Sequence, residues 1–248
     1  MKTRYQYLAA LAALVLFSAV PAAAAPGIKL VVLDIGGTLI QDHGEVPTAM
    51  MNALSKRHIP ATAAEIADWR GASKRGMIRH FVEQAMKPGK EANALIESIN
   101  ADFNVHAEKA YANIQPIAGA EDALKRMKGM GLMLATTTGF GRKLEDQILR
   151  HLGWEKYFTV TISSDDVVDG RPAPYMIYHA MEAAHVANVK DVVAVGDTPL
   201  DLQAANNAGV GAIGVWSGAA TEEKMRKEKY SQLLPSVASL PALLQKSY

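Results

Sequence analysis

No cysteine occurs among the 248 residues. That excludes disulfides, thiolate chemistry and cysteine-based zinc sites, and it is compatible with an oxidising compartment. Neither sign of charge is in excess. The 26 basic and 25 acidic side chains leave a formal +1, without the basic field that nucleic-acid binding requires. There is no internal repeat and no low-complexity segment after the N-terminus. What remains, 49% hydrophobic and 21% charged residues, is the composition of an ordinary soluble globular chain, long enough for one large or two modest domains.

Residues 1–25 stand apart. Lys2 and Arg4 precede an uncharged apolar stretch from Leu8 to Val20, and the small-residue run Pro21 to Ala25 follows. Basic, apolar, then small is the order of a secretory signal peptide. The apolar stretch is short for a membrane span of about 20 residues. The expectation is cleavage near Ala25, which takes the charge from +1 to −1 by removing Lys2 and Arg4. The mature protein would then work in the periplasm or outside the cell, with no membrane contact.

The chain is organised around Val31-Val32-Leu33-Asp34-Ile35-Gly36-Gly37-Thr38. Leu30 to Leu33 reads as a short buried strand of the kind found in parallel sheets. Asp34 falls at its carboxyl end, where open α/β sheets place their ligands. Gly36 and Gly37 let the backbone turn and approach a ligand closely. From 45 to 112 there is no strand signal. Pro47 suits a first helical turn, and Thr62 with Glu65 forms a capping box. Further helices are expected from Lys74 to Met86 and from Glu91 to Tyr111, the latter with Leu95, Ile96, Ile99, Phe103 and Val105 as its apolar positions.

After Pro116-Ile117-Ala118-Gly119 the pattern alternates. Helices are expected over Ala120–Met130, Arg142–Leu152, 170–184 and from Pro199 to about Asn207. Strands are expected over Gly131–Gly139, Phe158–Ile162, Asp191–Val195 and Gly211–Val215. The tail reads as helical, with Leu240, Leu243 and Leu244 packing at its end. Such alternation implies right-handed crossovers and a Rossmann-like, doubly wound parallel α/β sheet. The domain reading is an α/β core over 27–44 and 113–248, with a helical cap domain, 45–112, inserted after the first strand.

Polar groups then recur at strand ends: Asp34, Thr138, Arg171 a little beyond its strand, and the pair Asp197 and Asp201. Three carboxylates suit a hard divalent ion such as Mg²⁺, which takes oxygen ligands and keeps several waters. A hydroxyl, a guanidinium and glycine N–H groups suit phosphate oxygens. An aspartate beside such an ion can act as a nucleophile and become an aspartyl-phosphate. Taken singly the features are weak; Asp165 and Asp166 also suit helix caps or surface charge, and Pro199 suits an ordinary helix start.

Asp-x-Gly-Gly-Thr, Thr-Thr-Gly-Phe, Gly-Arg-Pro-x-Pro and Gly-Asp-Thr-x-x-Asp, in this order, resemble the haloacid dehalogenase-like hydrolase superfamily over essentially the whole mature chain. Thr137-Thr138-Gly139-Phe140, Ser164-Asp165-Asp166-Val167, Gly170 to Met176 and Asn206-Asn207-Ala208-Gly209 resemble its phosphonatase (phosphonoacetaldehyde hydrolase-like) branch. The resemblance implies Asp34 as nucleophile and Mg²⁺ held by Asp34, the Gly36 carbonyl and Asp197, with Asp201 in support. It implies that Gly36, Gly37, Thr138, Gly139 and Arg171 hold the transferring phosphoryl group. The substrate would be a small phosphate ester or phosphonate, and the protein a monomer or homodimer.

Two departures sharpen this. Phosphatases of the superfamily carry a second aspartate, a general acid worth about 10² to 10⁴ in rate, where this chain has Gly36. The phosphonatase branch has a small residue there and uses a cap lysine to form a Schiff base. Lys74 follows Gly71 at that branch's spacing. A lysine becomes nucleophilic when burial or a nearby cation lowers its pKa, and Arg70, Arg75 and Arg79 are the cations near it in sequence. The alternative is a lysine that simply holds the distal part of the substrate, with Asp42, His43 or His80 as proton donor. Met77 and Arg70 stand near the positions of that branch's supporting residues. A dehalogenase fits the Gly-Gly-Thr turn and the Asp197/Asp201 pair less well. A reading outside enzymes, a catalytically weak protein that binds phosphate ligands, stays open because of Gly36.

Overall fold

The computed structural model describes residues 27–246, so the expected signal peptide lies outside the described residues. Among the described residues no helix is long and apolar enough to cross a membrane.

Strand β1, Leu30–Leu33, is fully buried. Four helices follow before any further strand: α1 (Glu45–Ser55), α2 (Ala63–Asp68), α3 (Lys74–Ala85) and α4 (Lys90–Ala110). The chain returns through α5 (Ala120–Gly129), β2 (Met133–Thr137), α6 (Arg142–Leu152), β3 (Val160–Ile162), α7 (Tyr175–Ala183), β4 (Val192–Gly196), α8 (Pro199–Ala208) and β5 (Gly211–Val215). It closes with α9 (Glu222–Met225), β6 (Gln232–Leu234) and α10 (Leu240–Lys246). The expected tail lacked β6. Three half-exposed residues at an edge carry too little pattern to announce a strand, yet β6 extends the sheet beside β5.

The six strands pair in parallel in the order β3-β2-β1-β4-β5-β6. The order reverses at β1, so the crevice at the carboxyl ends of β1 and β4 is the topological switch point. Side chains alternate across the sheet. Val31 and Leu33 face a core shared with α5, α6 and the helical insert, whereas Leu30 and Val32 face α7 and α8. Burial on both faces explains why β1 is an unbroken apolar run.

The insert is held by its own apolar contacts. Met50 and Leu54 of α1, Phe81 and Val82 of α3, and Ile96, Ile99 and Phe103 of α4 join one buried cluster that continues into the sheet. Lys56 and Arg57 both reach Asp102 on α4, at 2.7 and 2.9 Å. The Thr62 capping box forms as expected. Val105 is 52% exposed, contrary to expectation. The buried stripe of α4 is Ala92, Ile96, Ile99, Phe103 and Ala107, in steps of three and four, and Val105 falls between its steps.

Candidate active site

The carboxyl ends of β1, β2 and β4 converge around Asp34. Its N–H donates to the Val195 carbonyl at 2.9 Å, continuing the β1–β4 ladder one residue past the strand. Thr137 and Thr138 lie on one side of it, and Gly196 and Asp197 on the other. Asp34, Asp197 and Asp201 are all buried, and an oxygen from each lies within 4.8 Å of the others. The expected carboxylate trio is therefore assembled. Asp201 is fixed from behind: Thr198 donates to its Oδ2 from the backbone N–H at 3.0 Å and from the hydroxyl at 2.6 Å.

Arg171 is buried against this cluster. Its Nη1 lies 2.8 Å from Asp34 Oδ1 and 2.7 Å from Asp201 Oδ1. Its Nη2 donates to the Thr137 carbonyl at 2.7 Å. Despite the cost of burial, Asp201 and Asp34 hold the guanidinium charged. Burial pushes the Asp34 carboxyl up to about 6 against the pull of Arg171. Asp197 is raised well above the usual carboxylate range, first by burial and then by its two acidic neighbours. Its Oδ2 accepts from the Ala219 N–H at 2.5 Å, while its buried Oδ1 has no hydrogen-bond partner. An orphaned carboxylate oxygen beside two further carboxylates is a donor set that fits a hard divalent cation.

Gly37 makes this packing possible. Its φ is +80° and a Cβ there would overlap the Asp197 carboxylate. The Gly37 carbonyl in turn accepts from the Ser217 hydroxyl at 3.1 Å. Gly37, Arg171 and Asp201 stand behind the cavity wall, which includes Asp34, Gly36, Thr138, Gly139, Asp197 and Lys74. The cavity is small, about 40 Å³, with room for a group of a few heavy atoms. Thr138 turns its Oγ1 to accept the Phe140 N–H at 3.2 Å. A Cβ on Gly36 would stand 3.4 Å from the Phe140 ring, so the ring crowds the space that a longer side chain at Gly36 would enter.

Lys74 enters this cavity from the first turn of α3. The loop before it is seated on the sheet by backbone contact. The Lys74 N–H donates to the Gly139 carbonyl at 3.2 Å. A Cβ on Gly139 would overlap the Ala72 carbonyl oxygen, and one on Gly71, at φ +89°, would overlap Thr198. The amine is buried, donates to the Ala72 carbonyl at 3.0 Å and sits 5.5 Å from the centre of the Phe140 ring. Burial lowers its pKa to about 8 against the attraction of Asp34, and Arg171 adds to the lowering. The expected neighbours do not supply that cation. Arg70 pairs with Asp42 at 2.5 Å and Arg75 pairs with Glu97. Met77 is buried in the insert's core.

A depressed lysine has a sign for stability. The unfolded chain binds its proton up to about 10.5 and the folded chain only up to about 8, so stability rises with pH between those values. Lys74→Met is expected to be more stable than the parent at pH 7, by about 3 kcal/mol at most. Urea denaturation across pH should show the gap widest below pH 8 and closing above it.

Of the three proton donors considered for an ester, only Asp42 reaches the cavity wall. His43 meets Gln41 at 3.0 Å in an exposed loop, and His80 lies against Trp69 with ring centres 4.4 Å apart. Asp165 and Asp166 are structural: Asp165 accepts the Arg142 N–H at 2.8 Å, and Asp166 caps its own turn through the Ser163 N–H at 2.7 Å. The wall also contains Tyr111 and Ala219, which the sequence reading passed over. Ala219 lies four residues beyond β5, at one more strand end of the same edge, and that rule could have found it. Tyr111, at the exit of α4, carries no comparable signal.

The model of the haloacid dehalogenase-like hydrolases matches residues 28–209. A phosphonoacetaldehyde hydrolase of Bacillus cytotoxicus is 31% identical over 136 residues, 54% of this chain and about half (51%) of that protein. A phosphoglycolate phosphatase of Psychrobacter arcticus is 23% identical over 226 residues, covering 89% of this chain and 97% of the other. Among solved structures, a phosphonoacetaldehyde hydrolase like protein from Oleispira antarctica superposes with a TM-score of 0.78 at 20% identity, covering 90% of this chain and 93% of that one.

Proposed function

Because this chain belongs to the haloacid dehalogenase-like hydrolases, we propose that it releases phosphate from a small phosphate ester or phosphonate, with Asp34 as the nucleophile and Mg²⁺ as cofactor. One observation carries the reading: three buried carboxylates within 4.8 Å at the switch point of the sheet, two of them, Asp34 and Asp197, on the wall of a small cavity beside Thr138 and Gly139. Asp34, the Gly36 carbonyl and Asp197 would hold Mg²⁺, with Asp201 positioned by Thr198 in support. When bound, the ion supplies positive charge against the carboxylates and the phosphoryl oxygens. Only ionised carboxylates bind it well, so affinity should rise as pH climbs through the Asp34 value of about 6.

The chain's own groups do the rest. A carboxylate oxygen of Asp34 attacks phosphorus, and the leaving group departs with the bonding electron pair. Thr138 and the Gly139 N–H orient the phosphoryl oxygens. Arg171 holds the attacking carboxylate at Oδ1 and balances its charge. Water then cleaves the acyl phosphate and frees Asp34. The helical insert keeps bulk water from the nucleophile while this happens. The N-terminal segment supports a periplasmic or extracellular site of action.

A second reading is favoured by Lys74. A buried amine lowered to about 8, on the wall of the same cavity, suits a Schiff base with an aldehyde, as in phosphonoacetaldehyde hydrolysis. Phosphate release with Mg²⁺ should be measured on phosphonoacetaldehyde and on small phosphate monoesters. Release from the aldehyde alone, lost in Lys74→Arg, selects the Schiff-base route. Release from esters that survives Lys74→Arg makes Lys74 a holding residue. Binding of inorganic phosphate without release from any compound would overturn both in favour of a binding protein.

A further inference from the structure

We infer that the hydroxyl of Tyr111 selects the substrate, donating a hydrogen bond to an uncharged oxygen, carbonyl or hydroxyl, at the far end of the leaving group. The inference rests on the proposed phosphohydrolase reading and specifies what the leaving group must carry.

Tyr111 is the first residue past α4, where the chain leaves the helical insert. It is 1% exposed, and its hydroxyl is buried without a hydrogen-bond partner. Native interiors satisfy nearly all such groups, and one that is left over calls for an explanation. Here the explanation is nearby, because Tyr111 forms part of the same cavity wall as Asp34 and Lys74. Its ring stands edge-on to Phe140, another residue of that wall, at 5.1 Å and 65°. Burial, with Asp42, Glu45 and Asp34 around it, keeps the proton on the oxygen, so the group acts as a donor.

The electrostatics of that end decide which acceptor fits. Of the two cations on the wall, Arg70 is already matched by Asp42 at 2.5 Å, and Lys74 has Asp34 as its strongest attraction. A carboxylate placed there would meet Asp42 with its counter-charge taken. A carbonyl or hydroxyl oxygen needs only the donor that Tyr111 offers. Sites built to hydrogen-bond a substrate oxygen discriminate strongly against analogues without it.

The test compares kcat/KM for glycolaldehyde phosphate and 2-hydroxyethyl phosphate, which carry the acceptor, with ethyl phosphate, which lacks it, and 2-phosphoglycolate, which carries a carboxylate. The parent should prefer the first two. In Tyr111→Phe their advantage over ethyl phosphate should shrink about tenfold, the worth of one hydrogen bond, and the melting temperature should stay at or above the parent's. A structural role would lower all four together and leave the ratio unchanged; that result overturns the inference, as does a parent that prefers 2-phosphoglycolate. In either case Asp34-dependent release still upholds the phosphohydrolase reading. No release from any of the four by the parent overturns the inference, and the phosphohydrolase reading falls with it if phosphonoacetaldehyde also releases nothing.

Discussion

Asp34→Asn is expected to lose phosphate release by on the order of 10⁴-fold or more, the scale of removing a nucleophile, while the protein stays folded. The amide has the shape of the carboxylate and keeps an oxygen to accept from Arg171, now 2.8 Å from Asp34 Oδ1. Burial already penalises the charge, lifting the carboxyl to about 6, so a neutral replacement costs the fold little. What it cannot do is attack phosphorus. Asp34→Glu keeps the carboxylate but pushes it one methylene into a cavity of about 40 Å³, and misplacement of about 1 Å already costs on the order of 10²-fold. Acid quench during turnover should trap a phosphorylated parent chain and none from Asp34→Asn. An Asn variant within tenfold of the parent would remove Asp34 from the role of nucleophile.

Arg171→Met should give the largest loss of stability, about 3–5 kcal/mol in the presence of a chelator, as for other buried ion pairs that lose one partner. The guanidinium touches Asp34 and Asp201, and without it three buried carboxylates face one another uncompensated. Two consequences separate this from simple loss of packing. A divalent cation should recover part of the loss, because it replaces the missing positive charge. Lowering the pH toward about 6 should shrink the loss, because Asp34 without the pull of Arg171 takes up its proton at a higher pH than in the parent. Urea midpoints with chelator and with Mg²⁺, at pH 5 and pH 7.5, read both. A loss untouched by cation and pH would mean that Arg171 acts through packing alone.

The sheet and its polar edge were legible in the sequence for a physical reason. A strand buried on both faces has to be an apolar run, and a functional strand end has to break that run abruptly, as Asp34, Thr138 and Asp197 do. β6 offered neither signal. Ala92 and Ala107 of α4 are buried without advertising it, whereas Val105 advertises and is exposed. The depressed pKa of Lys74 was readable as a possibility of burial, but its cation comes from Arg171, close in space and distant in sequence. The far end of the cavity was legible in Asp42 and Arg70 and not in Tyr111. It joins Asp42, Arg70 and Tyr111, one from the loop after β1 and two from the insert, and only the docking of the insert makes them neighbours.

That docking has a consequence for how the protein can diversify. The height of the chamber is set where the main chain of the insert meets the sheet edge, at Ala72 on the Gly139 backbone and at Gly71 on the Thr198 side chain. No side chain added to either glycine leaves the roof where it is, so single substitutions there do not tune the chamber; they unseat it. The walls are different, because Phe140, Tyr111 and Val46 end in side chains that can be exchanged without moving the roof. Selection for new compounds should therefore accumulate its changes in the walls, producing relatives that differ in what they accept and agree on how large it can be.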